Sequence, residues 1–349
     1  QVRIPFGNGG RTLTGYVLEL TDTCQWDEGK LKPILGLAEK GIRLEGQLIA
    51  LAAWMRENYG STMIQALRTV LPIQEKIKAK EKKYICLDIS EEAGTQLLKE
   101  LEQTRFKART RLLRELLEKK RLDYTHAAKE LGTTSAVVKK FQEQGIIRIE
   151  YDEIMRTSLN TGDISGERRM PLTDEQEAAV KQIQREWKKP SPKPVLIEGV
   201  TGSGKTQVYI KLIEQTLSQG KEAIVLIPEI ALTYQTVRRF YARFGDKVSV
   251  INSRQSQGER YDQFKRAKKG EVQVMIGPRS ALFTPFASLG LIIIDEEHEP
   301  SYKSESTPRY HARETAIRRA VLEHANVVMG SATPSVEAYS KAINGEYSL

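Results

Sequence analysis

The octapeptide Gly199-Val-Thr-Gly-Ser-Gly-Lys-Thr206 constrains this chain more than any other feature, because it fits the pattern GxxxxGK[ST]. An apolar run, Val195-Leu-Ile-Glu198, leads into it, and residues 208–219 after it have the spacing of a helix. In that strand, loop and helix order, glycines let successive backbone N–H groups turn inward on phosphates. Gly199, Gly202, Ser203 and Gly204 would form the cradle, Lys205 would reach the β/γ oxygens, and Thr206 would offer its hydroxyl to Mg²⁺. The chain is therefore expected to bind a nucleoside triphosphate.

Two further motifs follow in an order that supports this. Leu291-Ile-Ile-Ile-Asp-Glu-Glu-His298 is an apolar run ending in carboxylates, the pattern of a buried parallel strand whose acids lie at the ligand-binding edge. Asp295 is placed to hold Mg²⁺ through water and Glu296 to orient and deprotonate an attacking water. Val327-Val-Met-Gly-Ser-Ala-Thr-Pro334 reads as another buried strand ending in small hydroxyl residues. From residue 194 onward, short apolar runs at 195–198, 223–227, 248–252, 272–276, 291–294 and 327–329 alternate with helical patterns. That alternation predicts a doubly wound parallel sheet, an α/β lobe. Ahead of it, Thr173 and Gln176 fit a capping box, and Gln176 also suits an adenine edge.

With 349 residues the chain suits two or three domains. Its formal net charge of +9 raises the expectation of nucleic acid as a partner. The excess is uneven: residues 76–148 hold 18 Lys+Arg against 11 Asp+Glu. Cys24 and Cys86 are too few and too far apart for a zinc site or a disulfide framework, which points to a reducing compartment. No run approaches a membrane span and no signal peptide is visible, so a soluble, cytoplasmic protein without membrane partners is expected.

The first 72 residues read as short β pieces at 2–6, 16–20 and 33–38, then a helix over 46–59. The charge-dense run 76–83 reads as a solvated linker, and residues 91–101 and 105–119 as helices. Residues 125–131 and 135–144 then form two helices joined at Gly132, and 146–150 alternates as a strand, which is winged-helix order. Lys139 and Lys140 on the second helix would meet phosphates, although such folds also serve as protein contacts. The expected division is a β-rich domain at 1–75, a winged helix at 76–151, a linker at 152–170 and the α/β lobe at 171–349.

Taken together, GVTGSGKT, PEIALT at 228–233, RSALFTPF at 279–286, IIIDEEHE at 292–299 and GSATPS at 330–335 resemble the early motifs of superfamily 2 helicases. More narrowly, they resemble the PriA family of primosomal replication-restart DNA helicases. The likeness is most specific over 170–349 and looser over the winged helix, and Val2-Arg-Ile-Pro-Phe-Gly7 with Lys32 resembles that family's 3′-DNA-binding domain. It implies a RecA-like lobe, ATP and Mg²⁺ as ligands, and ATP-driven 3′ to 5′ movement at abandoned replication forks. It further implies that Gly7 and Lys32 belong to a pocket for the 3′ end of a nascent strand, and that Arg279 and Ser280 contact the DNA backbone. His298 joins the catalytic set, and the segment holding Tyr302, Tyr310 and His311 couples single-stranded DNA to hydrolysis, its aromatic faces stacking on bases. Primosome proteins, a single-stranded-DNA-binding protein and a replicative helicase loader are the implied protein partners.

The family's second lobe with its arginine finger, its zinc-binding cysteines and its C-terminal domain have no counterpart here, and the chain looks cut at both ends. Negligible ATP hydrolysis is therefore expected from this chain alone. The rival readings are a superfamily 2 branch-migration translocase and a fork-recognition module that never turns over nucleotide.

Overall fold

The computed structural model describes residues 2–6, 10–18, 20–23, 27–37, 46–71, 80–103, 106–154 and 171–349. The chain divides into two compact units, Gln1–Ile77 with Ser158–Leu349, and Lys78–Thr157.

The first unit opens with a three-stranded antiparallel sheet in the order β2-β1-β3, made of β1 (Val2–Phe6), β2 (Arg11–Gly15) and β3 (Gly36–Leu37). Residues 16–18 and 20, expected to extend as a strand, carry no regular element; the second strand lies earlier, at Arg11–Gly15, opposite β1. Two helices follow, α1 (Gly46–Asn58) and α2 (Met63–Val70), the second of which the sequence did not predict. Thr62 and Gln65 form a capping box at its start. Leu48, Leu51, Met55, Leu67 and Val70 are buried in the same apolar layer as the large sheet described below. These two helices thus share a core with the lobe.

The second unit holds β4 (Lys80–Leu87), α3 (Glu91–Glu102), α4 (Lys107–Lys119), β5 (Arg121–Asp123), α5 (Tyr124–Lys129), α6 (Ser135–Glu143) and β6 (Ile147–Ile154). Asp123 caps α5, Thr134 caps α6, and Gly132 turns between them at φ 64°. The expected helix, turn, helix and strand are present. The linker expected at 76–83 is corrected from Lys80 onward, where β4 begins, paired antiparallel with β6 from Lys80↔Ile154 to Leu87↔Ile147. Leu112, Leu116, Val138 and Phe141 pack with Ile85 and Ile147 beneath this sheet.

Residues 171–349 form the RecA-like α/β lobe, with α7 (Asp174–Trp187), β7 (Val195–Glu198), α8 (Lys205–Ser218), β8 (Glu222–Leu226), α9 (Tyr234–Phe244), β9 (Val248–Val250), α10 (Gln257–Lys268), β10 (Val274–Gly277), β11 (Leu289–Asp295), α11 (Ala312–Glu323), β12 (Asn326–Ser331) and α12 (Val336–Ile343). Six strands lie in the order β7-β12-β11-β8-β10-β9, every pair parallel. The central strands are apolar on both faces because helices cover both. Ile292 and Ile294 face the layer containing α1, α2 and α11, while Leu291 and Ile293 face the layer of α7, α8 and α9. Strand β12 inserts between β7 and β11, and its register pairs Ser331 with Glu198 and Gly330 with Asp295. All three functional motifs therefore meet at one carboxyl edge.

Candidate nucleotide and DNA site

The phosphate loop is bent by glycine. Gly202 and Gly204 both adopt φ 85°, a left-handed conformation that an L side chain occupies at a cost of about 1–2 kcal/mol. Gly204 also caps α8, so Lys205 begins the helix at its positive end. The Lys205 ammonium, on a buried side chain, donates to Gly199 O at 2.7 Å and Val200 O at 3.4 Å. Thr206 follows, half-buried, on the same first turn. Gln176 uses both ends of its amide: its oxygen accepts from Thr173 N at 3.1 Å, completing the capping box, while its nitrogen donates to Ser203 O at 3.0 Å. A Cβ on Gly204 would lie 2.2 Å from that nitrogen. The glutamine therefore clamps the loop as well as capping the helix.

Across the edge, burial pushes the Asp295 carboxyl above its ordinary range, opposed by a hydrogen bond from Tyr209 and aided by the neighbouring charge of Glu296. Glu296 sits at φ 48°, an unusual backbone for a residue with a side chain and one that turns β11 sharply into the acidic loop. The His298 ring contacts Ser331 Oγ at 2.7 Å and lies 3.7 Å from the Glu296 carboxylate. Ser331 is a hub, since its carbonyl accepts from Gly199 N at 3.1 Å and its hydroxyl accepts from Thr333 N at 3.0 Å. The phosphate loop, the acidic loop and the β12 terminus are thus wired through one residue.

The third acid of the run has a different task. Glu297 is fully buried, accepts from Arg313, from Ser335 N at 3.1 Å and from Ser335 Oγ at 2.7 Å, and donates its own N–H to Gly330 O at 3.0 Å. Nothing in the run Asp-Glu-Glu-His separates this structural acid from its neighbours. Among the described residues no cluster of three or more His, Cys, Asp or Glu could cage a metal. Mg²⁺ does not need one: it keeps several waters and takes one or two carboxylates plus substrate phosphates. A half-buried Asp295 and the Thr206 hydroxyl at one sheet edge fit that demand, and the ion would neutralise phosphate charge there.

The aromatic segment departs from expectation. Tyr302 is 1% exposed and Tyr310 4%, so neither presents a face on which a base could stack. The Tyr302 hydroxyl instead donates toward Leu226 O at 3.0 Å and Asp295 O at 2.7 Å, and Tyr310 packs edge-on against Phe283. Both are drawn inward because their rings fill the apolar layer under α1 and α11. Arg279 pins the same segment, donating to Ser301 O at 3.0 Å and Lys303 O at 2.6 Å. With Ser280, Arg260, Glu229, Ser253 and Ser301 it lines an open cleft of about 320 Å³. Sequence reasoning quoted Glu229 within PEIALT without giving it a role, and passed over Arg260, which sits in a run without a distinguishing pattern. Lys32, Lys139 and Lys140 are exposed, Lys139 lying 3.8 Å from Glu143. Gly7 lies outside the described residues.

His311 caps α11, accepting from Arg313 N at 3.2 Å, and lies 3.1 Å from the Glu314 carboxylate. Burial works against ionisation of Glu314, yet the His311 ring and the Arg313 guanidinium outweigh it and hold the carboxyl at about 2, below its ordinary 4.5. A carboxyl lowered in the folded state contributes stability above its unfolded value and loses it as pH falls through the folded value. Between pH 4.5 and 2 the protein is therefore expected to lose stability faster than a Glu314→Gln variant, read as urea midpoints across that range. Parallel curves would remove Glu314 from the acid response.

The model of the 3′DNA-binding domain (3′BD) matches residues 1–72, and that of the DEAD/DEAH box helicase matches 173–342. The replication restart protein PriA of Chlamydia pneumoniae is 35% identical over 358 aligned residues, covering 100% of this chain and 46% of that protein. The chain belongs to the PriA family. The Bacillus subtilis PriA is 48% identical over 221 residues, 63% of this chain and 28% of the relative. The chain thus spans less than half the length of these PriA proteins. Among solved structures, RecG bound to a three-way DNA junction matches 51% of this chain and 23% of that one, at 24% identity and a TM-score of 0.38. No helix among the described residues is long and apolar enough to cross a membrane.

Proposed function

We propose that this chain is the fork-recognising and nucleotide-binding part of an ATP-driven DNA helicase that restarts replication. The observation carrying the reading is the convergence of Lys205, Asp295, Glu296 and His298 at one sheet edge, joined through Ser331, in a chain of the PriA family. Lys205 and the loop N–H groups would bind the phosphates of ATP, Thr206 and Asp295 would hold Mg²⁺, and Glu296 would orient the attacking water. The cleft beside Arg279 and Ser280 would take a DNA strand by backbone contacts, without the tyrosine stacking that the sequence suggested. The 78–157 unit acts as a winged helix whose Lys139 and Lys140 face DNA phosphates, and Lys32 contributes to capture of a 3′ end. In the whole protein the engine runs 3′ to 5′ and prepares the fork for reloading of the replicative helicase.

Turnover by this chain alone is expected to be negligible. In the whole protein an arginine finger from a second lobe would stabilise the transferring phosphoryl group. The test is binding of ATP and of a synthetic fork with a 3′-hydroxyl leading strand by the chain and its Lys205→Ala variant. Losing a charge-assisted contact of about 1.5–3 kcal/mol should weaken ATP roughly ten- to hundredfold. Fork affinity should stay within about twofold, because among the described residues the hydrogen bonds of Lys205 go to the loop. Unchanged ATP affinity would remove the phosphate loop from the site.

A further inference from the structure

Tyr209 stands on the first full turn of α8, four residues after Lys205 and three after Thr206, so it shares their side of the helix. It is 1% exposed among apolar side chains of the lobe, where phenylalanine would pack equally well. A buried hydroxyl is costly unless it is hydrogen-bonded. This one is: it donates to the Asp295 carboxylate at 3.0 Å.

The backbone is shaped around that contact. Gly330, the register partner of Asp295, could not carry a side chain, since a Cβ there would lie 1.7 Å from the Tyr209 hydroxyl, 3.0 Å from Cζ and 3.5 Å from Lys205 Cδ. The tyrosine tip, the lysine stem and the carboxylate converge over one glycine. Tyr302 bonds the main-chain oxygen of the same aspartate, so Asp295 is held at both its carboxylate and its carbonyl.

We propose that Tyr209, its hydroxyl seated in the space that Gly330 leaves open, is a positioning residue of the nucleotide site that holds the Asp295 carboxylate oriented toward the water shell of a nucleotide-bound Mg²⁺. The inference rests on the nucleotide-binding reading above. It separates two parts of affinity, a metal-independent part made by the phosphate loop and a metal-dependent part that needs Asp295 aligned.

A fluorescent ADP titrated into the 349-residue chain in MgCl₂ and in EDTA measures both parts. Tyr209→Phe keeps the ring and should leave binding in EDTA within about twofold, while the affinity gained from Mg²⁺ should fall roughly five- to tenfold, the upper part of the net scale of an ordinary hydrogen bond, since the carboxylate itself stays in place. Gly330→Ala, which displaces the hydroxyl, should show the same selective loss. In the double variant the clash with the hydroxyl is gone, so the two losses should not add. An unchanged Mg²⁺ gain in Tyr209→Phe overturns the proposal, and so does an equal loss in both buffers, which would mark the tyrosine as packing only. If the unmodified chain binds no ADP in MgCl₂, the nucleotide reading itself fails and this inference with it, an outcome visible before any variant is made.

Discussion

Replacing Glu297 with alanine is expected to lower the unfolding free energy of the unit carrying the lobe by roughly 3–5 kcal/mol, the usual cost of breaking a buried ion pair from one side. The carboxylate is fully buried and has three donors: the Arg313 guanidinium, Ser335 N and Ser335 Oγ. Removing it leaves Arg313, 7% exposed, with the half-buried Glu314 as its facing charge and Ser335 Oγ as an acceptor, and strips a partner from the first turn of α12. Glu297→Gln keeps the volume and one acceptor, so it should fall between the two. Arg313→Ala should cost a similar amount, and the double variant less than the sum, because each single change strands the other charge. None of the three tryptophans lies in Lys78–Thr157, so tryptophan fluorescence in urea follows the relevant unit. A loss below about 1 kcal/mol, the scale of an exposed pair, would mean that water reaches this pair.

That expectation marks where reading the sequence stopped. The run Ile292-Ile-Ile-Asp295 was legible because a strand buried on both faces must be apolar at every position, and Gly202 and Gly204 because a phosphate loop needs left-handed backbone. The division of labour among Glu296, Glu297 and His298 was not. It depends on which way each side chain leaves the turn, and that is set by Gly330, Ser331 and Arg313, contributed by later segments. Direction also decided the fate of Tyr302 and Tyr310. An aromatic in a polar segment reads as a surface ring until the apolar layer that receives it is known, and part of that layer comes from α1, more than two hundred residues earlier. Strand β4 was hidden for a related reason. Its first residues are charged, and only the nonlocal pairing with β6 makes them a strand. Tyr209 carried no signal, lying amid the apolar positions of a helix.

The second large effect is expected at Arg319, a guanidinium 1% exposed in the lobe's apolar layer. It donates to Leu282 O, to Thr284 O at 2.8 Å and to Glu323 at 2.6 Å, so α11 grips the turn that follows Arg279 and Ser280. Arg319→Met keeps the aliphatic stem but orphans the buried Leu282 carbonyl and a carboxylate that is 9% exposed, while Thr284 O keeps only its bond from Phe286 N. Each unsatisfied buried group costs about 1–3 kcal/mol, so the expected loss is roughly 3–5 kcal/mol in urea unfolding. Fork binding should weaken as well, because Arg279 and Ser280 belong to the 3-10 turn Arg279–Phe283 whose end Arg319 fixes. Arg319→Lys would keep a charge for Glu323 but cannot reach all three acceptors in a plane, so it should recover only part of either property. The competing account is that the turn is held by its own apolar side chains, since Ala281, Leu282, Phe283 and Phe286 are all buried. That account predicts a loss under about 1 kcal/mol and unchanged fork affinity for Arg319→Met, because apolar contacts survive the substitution. A large loss of stability with fork affinity intact would divide the two roles, leaving Arg319 to hold the fold while the cleft beside Arg279, proposed to take DNA, keeps its shape without it.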